Sequence, residues 1–292
     1  MDSPRNLTWR VIPASVTGPS HARQALTNQD HWQARELGPD RWLFAVADGA
    51  GSRSQAAHGS LLAIQAAVSA AQRCFGSAPP GPPADWEDRL ACFARACQQY
   101  FDRAVAGAAA ELAARTPGSP PAAELRREYA TTLLAVIADP PCFGYFSVGD
   151  GFLILYRQPG GPQLIVAPSS EREHAGGTVF LTSERRAEFV AVSTVCDPGV
   201  RGVALCTDGL IEGVLTQRAA PDGRRFPVAP PEFASYFDYF ATPGVNPDEL
   251  ARKLQGEEFA RTSGDDKTML MALISQDETA KAGARYQSEA GR

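Results

Sequence analysis

Aspartate followed by glycine occurs three times at the end of an apolar stretch in this chain of 292 residues. Glycine allows a sharp turn that brings a backbone carbonyl beside the aspartate carboxylate. Hard divalent cations prefer such oxygen ligands. A single Asp-Gly pair favours an ordinary turn, but recurrence at the ends of apolar stretches predicts a shared metal site. The pairs are Asp48-Gly49, Asp150-Gly151 and Asp208-Gly209, and an acidic pair, Asp265-Asp266, precedes the last apolar stretch.

The composition limits the class of protein. A hydrophobic content of 44% can build a large core in one large domain or two small ones. The formal charge of −5, without a Lys/Arg run, argues against a nucleic-acid partner. The chain shows neither a signal-peptide pattern at its start nor an apolar stretch near the ~20 residues that cross a bilayer. We therefore expect a cytoplasmic monomer without a membrane partner.

The six cysteines are scattered and form no Cys-x-x-Cys pair. Several lie inside apolar stretches, where free cysteine behaves as a small hydrophobic side chain. The pattern therefore predicts buried free thiols, and not a zinc site or a disulfide framework. The residues are Cys74, Cys92, Cys97, Cys142, Cys196 and Cys206.

The first part of the chain predicts strands followed by two long helices. Ser52 is a good N-cap residue for a helix over residues 55–74. A second helix is predicted over residues 85–114, because apolar side chains recur there at helical spacing. The strands that precede them are predicted at residues 8–16, 31–36 and 41–47, the last two as a hairpin.

The rest of the chain is rich in strand patterns. Three closely spaced stretches predict a meander, at residues 131–138, 142–148 and 152–156. Further strands are predicted at residues 163–167, 189–195, 203–206 and 267–274, and helices at 210–215, 232–240 and 248–260. Residues 169–178 and 221–231 are predicted to be loops.

Antiparallel neighbours with helices in blocks indicate an α+β layered protein, and not a doubly wound sheet. We predict one domain over residues 1–275 and a loose tail over residues 276–292.

Six motifs occur in the order and approximate spacing of the metal-dependent protein phosphatases, the type 2C serine/threonine phosphatases. They span about residues 20–274, and the chain most resembles the bacterial branch of that family. The resemblance implies a four-layer α-β-β-α sandwich of two antiparallel sheets flanked by helix pairs, with a dinuclear Mn²⁺ or Mg²⁺ site at one end of the sheets. The motifs are Asn28-Gln29-Asp30, Asp48-Gly49-Ala50-Gly51-Ser52, Ala130-Thr131-Thr132-Leu133, Val148-Gly149-Asp150-Gly151, Thr207-Asp208-Gly209-Leu210 and Gly264-Asp265-Asp266-Lys267-Thr268.

The resemblance also implies a ligand set. Asp48 matches the carboxylate that bridges both ions, and the Gly49 carbonyl is a further ligand. Asp208 and Asp265 resemble the remaining ligands of the first ion, and Asp150 matches the residue that holds a weaker third ion together with Asp208. Aspartate-rich ligation suits Mg²⁺ or Mn²⁺ better than Zn²⁺.

Asp30 completes the implied catalytic set with Asp48 and Asp208, and acts through water. Two ions would share a water, lower its pKa and direct it at phosphorus. The resemblance thus implies a phosphoserine/phosphothreonine protein phosphatase that works without a phosphoenzyme, on substrates of a Ser/Thr kinase or on the kinase itself. No Asp-x-Asp nucleophile motif of the haloacid dehalogenase type occurs near the start of the chain.

Three positions depart from the family pattern. Gln29 stands where many members have a glutamate ligand, and a neutral amide would hold the second ion less tightly. Ala25 replaces the phosphate-binding arginine, and Ala50 replaces the histidine of eukaryotic members, which excludes a histidine general acid there. The candidates for phosphate binding are Arg23, His21 and Arg53.

These departures leave an alternative open. A pseudophosphatase would keep the fold and act as a phosphoprotein-binding or regulatory module. A two-metal phosphodiesterase or nuclease would use the same chemistry, but the chain shows no basic face for a nucleic acid.

Overall fold

The computed structural model describes residues 7–78, 81–168 and 177–276. Within these residues the chain forms twelve β-strands and eight α-helices. The strands are β1 (Leu7–Val16), β2 (His31–Gly38), β3 (Arg41–Ala47), β4 (Leu133–Asp139), β5 (Cys142–Val148), β6 (Phe152–Arg157), β7 (Gly161–Val166), β8 (Ala191–Cys196), β9 (Val200–Cys206), β10 (Thr216–Ala219), β11 (Arg225–Val228) and β12 (Lys267–Gln276). The helices are α1 (Pro19–Arg23), α2 (Ala56–Phe75), α3 (Trp86–Arg115), α4 (Ala122–Leu125), α5 (Ile211–Val214), α6 (Ala234–Ala241), α7 (Asp248–Gln255) and α8 (Glu257–Ala260).

Ten of these strands form two antiparallel sheets of five strands each. The first sheet has the order β1-β12-β9-β6-β7, and the second has the order β2-β3-β4-β5-β8. Strands β10 and β11 pair only with each other and form a separate hairpin.

Three apolar layers hold the sheets and helices together. Phe75 and Phe93 of α2 and α3 pack on the outer face of the second sheet. Phe237 of α6 packs on the outer face of the first sheet, where it stacks on Tyr156 at 4.7 Å between ring centroids. Phe44 belongs to the third layer, which lies between the two sheets. The predicted α+β fold, a four-layer α-β-β-α sandwich, is therefore confirmed.

The predicted meander of β4, β5 and β6 is wrong. Strands β4 and β5 pair in the second sheet, whereas β6 lies in the first sheet between β9 and β7. The chain crosses between the sheets at residues 149–151, where Gly149 adopts a φ of +111° that favours glycine. Both β5 and β6 are buried on their two faces. Their sequences therefore lack the alternation that would assign each strand to a sheet.

Local boundaries also differ from the predictions. Residues 221–231, predicted as a loop, include strand β11 of the separate hairpin. Helix α2 begins at Ala56, after Gln55, so Ser52 is not its N-cap. The helix predicted over residues 248–260 is divided at Gly256 into α7 and α8.

The prediction of free cysteines is wrong for one pair, because Cys142 and Cys196 form a disulfide. The two residues are direct partners in the register of β5 and β8, although 54 positions separate them in the chain. Spacing alone cannot reveal a bond that depends on strand pairing. The remaining four cysteines are free, and Cys74, Cys97 and Cys206 are buried as predicted.

Some predictions fall on residues that the structure does not describe. The predicted loop at residues 169–178 lies mostly outside the described residues, as does the tail from residue 277. Within the described ranges, no helix combines the length and apolar character that crossing a membrane requires.

Candidate metal centre and active site

The strand ends of both sheets bring three aspartates together. In the second sheet Asp48 follows β3, and in the first sheet Asp208 follows β9. Asp150 lies in the crossing between the sheets, and the strand that follows it pairs Phe152 with Cys206. One carboxylate oxygen from each aspartate lies within 4.8 Å of the others. Like charges at this separation repel strongly away from bulk water, so the arrangement favours a bound cation.

The backbone of Asp48 is fixed by the start of β4. Its N–H donates to Thr132 Oγ1 at 3.1 Å, and its carbonyl accepts from the Thr132 N–H and from Thr131 Oγ1, both at 2.8 Å. At the next residue, Gly49, a Cβ would stand 2.4 Å from the carbonyl oxygen of Ala56. Only glycine permits this close approach of the loop to α2.

Asp30 is held by threonines of the first sheet. Thr207 Oγ1 donates to Asp30 Oδ2 at 2.8 Å, and the Thr268 N–H donates to Thr207 Oγ1 at 3.0 Å. Because His31 pairs with Ala47 in the antiparallel ladder of β2 and β3, the next position along the ladder places Asp30 opposite Asp48. The predicted catalytic residues Asp30, Asp48 and Asp208 thus meet at one end of the molecule.

Asp265 and Asp266 differ in role although they are adjacent. The Asp265 side chain is 44% exposed and the Asp266 side chain is 1% exposed. Asp266 accepts from the N–H groups of Gly18 at 2.7 Å and Gln29 at 2.6 Å, and it lies 2.9 Å from His21 Nδ1. Asp266 therefore connects three chain segments, whereas Asp265 remains accessible to a ligand.

Lys267 fixes the loop that carries Asp265. Its side chain is buried, and Nζ donates to the carbonyls of Ser263 at 2.7 Å and Asp265 at 2.9 Å. Burial lowers the pKa of this ammonium, while the surrounding carboxylates oppose the shift.

The aspartates of the cluster have raised pKa values. Burial raises the pKa of Asp30 to about 7. Burial, with added repulsion from Asp150 and Asp265, raises the pKa of Asp208 to about 7. Burial and the charge of Asp30 raise the pKa of Asp48 well above its ordinary value, and burial also raises the pKa of Asp150. A cation that binds these carboxylates must displace protons, so its binding depends on pH.

Unpaired oxygen atoms at the centre also fit a cation. A buried acceptor without a donor is costly, and a hard divalent ion would satisfy several such oxygens at once. The donor set is composed of carboxylate and amide oxygens, which suits Mn²⁺ or Mg²⁺ better than Zn²⁺. Among the described residues of this centre, the buried oxygens without a partner are Asp30 Oδ1, Asp150 Oδ1, Asp208 Oδ1 and Gln29 Oε1.

The three predicted phosphate-binding residues have different surroundings. His21 is buried and lines a cavity beside the aspartates, with Nε2 3.3 Å from the position of a Cβ on Gly51. Arg23 is exposed and donates to Ser20 Oγ at 3.1 Å, and Arg53 lies 3.7 Å from Glu128. Neither arginine lines this cavity of about 330 Å³, whose walls are Ser20, His21, Gln24, Gly51, Ser263, Gly264 and Asp265.

Sequence reasoning missed Thr178. Its Oγ1 donates to Asp150 Oδ2 at 2.5 Å, and the nearby Leu181 N–H donates to the Thr131 carbonyl at 2.8 Å. Thr178 was predicted to lie in a surface loop, and no pattern in the sequence connects a loop threonine to an aspartate 28 residues away. Gln29, treated only as a loss of charge, contributes a buried amide oxygen.

Residues 17–256 match the sequence profile of the protein phosphatase 2C family. The chain belongs to this family. It is 28% identical over 279 residues to serine/threonine-protein phosphatase 3 of Escherichia coli K12, a match that covers 92% of this chain and 100% of that protein.

Solved structures of the family share the fold. Serine/threonine phosphatase Stp1 from Staphylococcus aureus superposes with a TM-score of 0.59 at 14% identity, over 92% of this chain and 96% of that one. The catalytic domain of serine/threonine protein phosphatase PstP, in complex with two manganese ions, gives a TM-score of 0.56 at 21% identity, over 92% of this chain and 99% of that one.

Proposed function

We propose that this protein phosphatase 2C family member hydrolyses phosphoserine and phosphothreonine in proteins with the help of Mn²⁺ or Mg²⁺. The convergence of Asp48, Asp150 and Asp208 within 4.8 Å is the observation that carries the proposal. The names of the relatives in E. coli and S. aureus support the substrate class. A Ser/Thr kinase would then supply the phosphorylated substrate.

The family pattern suggests the ligands, and the convergence of Asp48, Asp150 and Asp208 supports three of them. Asp48 would hold both ions, with the Gly49 carbonyl as a further ligand, and Asp208 and Asp265 would complete the first. Asp150, together with Asp208, would hold a third and weaker ion. When bound, the ions supply a nucleophilic water of lowered pKa and neutralise phosphate oxygens.

The chain's own residues would position and exchange protons. Thr207 holds Asp30 Oδ2, and the buried Oδ1 has no partner, so Oδ1 would be the atom that accepts or gives a proton. His21, whose Nδ1 lies 2.9 Å from Asp266 Oδ2, would contact the phosphate from the cavity wall.

The structure weakens the argument for a pseudophosphatase. That alternative rested on Gln29 and on the missing arginine at Ala25. Gln29 Oε1 is a buried acceptor without a partner, so it is available as a neutral ligand. His21 offers a group for the phosphate where the arginine is missing.

The test compares three matched Asp→Asn variants. Asp48→Asn and Asp208→Asn should lower Mn²⁺-dependent hydrolysis of p-nitrophenyl phosphate and of a phosphothreonine peptide by at least about 100-fold. Asp238→Asn changes the same charge on α6, where the carboxylate accepts from Tyr156 Oη, and should keep normal turnover. Calorimetric Mn²⁺ titration separates loss of metal from loss of fold.

Two results would overturn the proposal. Normal turnover in Asp48→Asn or Asp208→Asn would refute the site. Wild-type protein that binds the phosphopeptide but shows no difference between Mn²⁺ and EDTA would favour the pseudophosphatase.

A further inference from the structure

The β10–β11 hairpin carries a positive charge that contrasts with the rest of the molecule. Residues 216–228 contain three arginines and a single aspartate, whereas the whole chain has a formal charge of −5. The hairpin belongs to neither sheet, and the side chains of β10 are all exposed. The fold therefore displays a basic arm on an acidic protein.

The base of the hairpin follows Asp208 closely along the chain and is fixed by packing on both sides. Asp208 is followed by a single helical turn, α5, and then by Leu215, which is buried in the outer core of the first sheet. On its other side, β11 packs against β7, the edge strand of that sheet. The hairpin thus projects from the edge of the first sheet, and only residues 209–215 separate it from Asp208 along the chain.

The arginines of the hairpin differ in their partners. Arg224 Nε lies 2.6 Å from Asp222 Oδ2, so much of its charge is compensated locally. Among the ion pairs of residues 7–78, 81–168 and 177–276, none involves Arg218 or Arg225. Arg218 lies opposite Phe226 in the ladder, and Phe226 is 42% exposed.

We propose that this hairpin binds an acidic segment of the phosphoprotein substrate, next to the phosphorylated residue. The inference rests on the proposed function and adds a substrate preference to it. Side chains alternate along a strand, so Arg218 and Phe226 share one face of the hairpin and Arg225 lies on the other. Arg218 would pair with a carboxylate of the segment and Phe226 would contact its apolar side-chain atoms, while Arg225 would pair with a carboxylate that reaches the other face. A nucleic acid would meet the negative charge of the chain along most of its length.

The expected effect is modest, because exposed ion pairs contribute little and salt screens them. Each arginine should account for about a 2–5-fold preference in kcat/KM, and the two together for about 10-fold. The preference should decrease as ionic strength rises.

The test uses the full chain with Mn²⁺ and two phosphothreonine peptides. One peptide carries glutamates beside the phosphothreonine, and the other carries glutamines at the same positions. Wild-type protein should prefer the glutamate peptide, and the double variant Arg218→Ala/Arg225→Ala should show a ratio near 1. The double variant Arg95→Ala/Arg103→Ala, with exposed arginines of α3, is the matched control and should keep the wild-type ratio.

Charge reversal sharpens the test. Arg218→Glu/Arg225→Glu should prefer a peptide with lysines at the same positions, while its turnover of p-nitrophenyl phosphate stays normal. That small substrate carries no segment for the hairpin to bind, so its turnover shows whether the site remains intact.

Three outcomes would overturn the inference. The hairpin variant could keep the wild-type ratio of kcat/KM between the two peptides, the α3 control could lose that ratio equally, or wild-type protein could show no preference for the glutamate peptide. Binding of a single-stranded oligonucleotide that depends on the two arginines, without a peptide preference, would assign the arm to another partner. If wild-type protein does not hydrolyse p-nitrophenyl phosphate, the proposed function fails, and fluorescence anisotropy with the same peptides still tests the hairpin.

Discussion

Buried carboxylates determine how this protein responds to pH when no metal is bound. Burial raises the pKa of Asp30 from 3.8 to about 7, and the pKa of Asp208 rises to a similar value. A group with a raised pKa in the folded state stabilises the fold below its unfolded pKa and loses that contribution as pH rises through the folded pKa. The cluster therefore favours folding near pH 4 and opposes it above about pH 7.

The first prediction follows from this decrease in stability with rising pH. EDTA-treated protein should lose thermal stability as pH rises from about 4 to about 7, and Asp30→Asn should reduce the slope because one titrating carboxylate is absent. Added Mn²⁺ should restore stability most at the higher pH, since ions bind the deprotonated carboxylates. The measurement is the unfolding midpoint across pH, with and without Mn²⁺. Identical slopes for wild type and Asp30→Asn would contradict the assigned pKa.

His21 offers a second prediction at the residue scale. His21→Ala removes the imidazole from the cavity wall. This variant should raise the KM for p-nitrophenyl phosphate and the inhibition constant of inorganic phosphate by roughly 10-fold, because a hydrogen bond to a charged group typically contributes that much to affinity. Arg23→Ala is the control, because this neighbouring side chain is exposed and should change both constants less than about 2-fold. Equal effects of the two variants would remove His21 from the phosphate site.

At the scale of elements, the segment around Thr178 is attached to the aspartate cluster. Thr178 donates to Asp150, Leu181 donates to the Thr131 carbonyl, and Arg186 forms an ion pair with Asp102 of α3 at 2.5 Å. A hydrogen-bonded partner orients a metal ligand and raises its affinity. The segment therefore orients Asp150, the proposed ligand of the weakest ion.

Thr178→Val should lower the affinity for the weakest Mn²⁺ ion by about 10-fold or more and leave the two tighter ions unchanged. Thr178→Ser keeps the hydroxyl and should behave like wild type. Calorimetric Mn²⁺ titration distinguishes the sites without relying on turnover. Equal Mn²⁺ isotherms for the valine and serine variants would show that Thr178 has no part in positioning Asp150.

Helix α2 packs closely against residues 129–130, which hold the loop after Asp48, and this packing requires a glycine in the helix. A Cβ on Gly59 would stand 2.4 Å from the Tyr129 carbonyl oxygen, and the next carbonyl, of Ala130, accepts from the Ala50 N–H at 2.9 Å. Gly59→Ala should therefore destabilise the protein by about 1–3 kcal/mol. Gly107→Ala, in α3 with nothing within 4 Å, should stabilise it by up to about 1 kcal/mol.

Urea denaturation of the two glycine variants measures the difference. A shift of the midpoint in opposite directions is expected, with the slope unchanged. If Gly59→Ala were as stable as Gly107→Ala, the contact between α2 and residue 129 would be looser than the structure shows.

The limits of sequence reasoning appear most clearly in individual elements. The positions of Asp48 and Asp208 were predicted because glycine follows each at the end of an apolar stretch, a local pattern. The sheet of β6, the β10–β11 hairpin and the Cys142–Cys196 disulfide were not predicted. Each depends on which strand pairs with which, and pairing across the chain leaves no signal in a single buried strand.

At the scale of the whole molecule, the two sheets place distant residues at one end. The second sheet brings Asp30 and Asp48 together, and the first contributes Asp208 and the threonines that hold Asp30. The packing of one sheet on the other is therefore what assembles the site. The helix layers cover the outer faces of the sheets.

The most direct test of this account is anomalous X-ray diffraction from crystals grown with Mn²⁺. We expect two strong manganese peaks about 2–2.5 Å from carboxylate oxygens of Asp48, with Asp208 and Asp265 bound to the first of them. A weaker third peak is expected beside Asp150. Manganese bound elsewhere, with Asp48 and Asp208 both free of metal, would contradict the assignment of this centre.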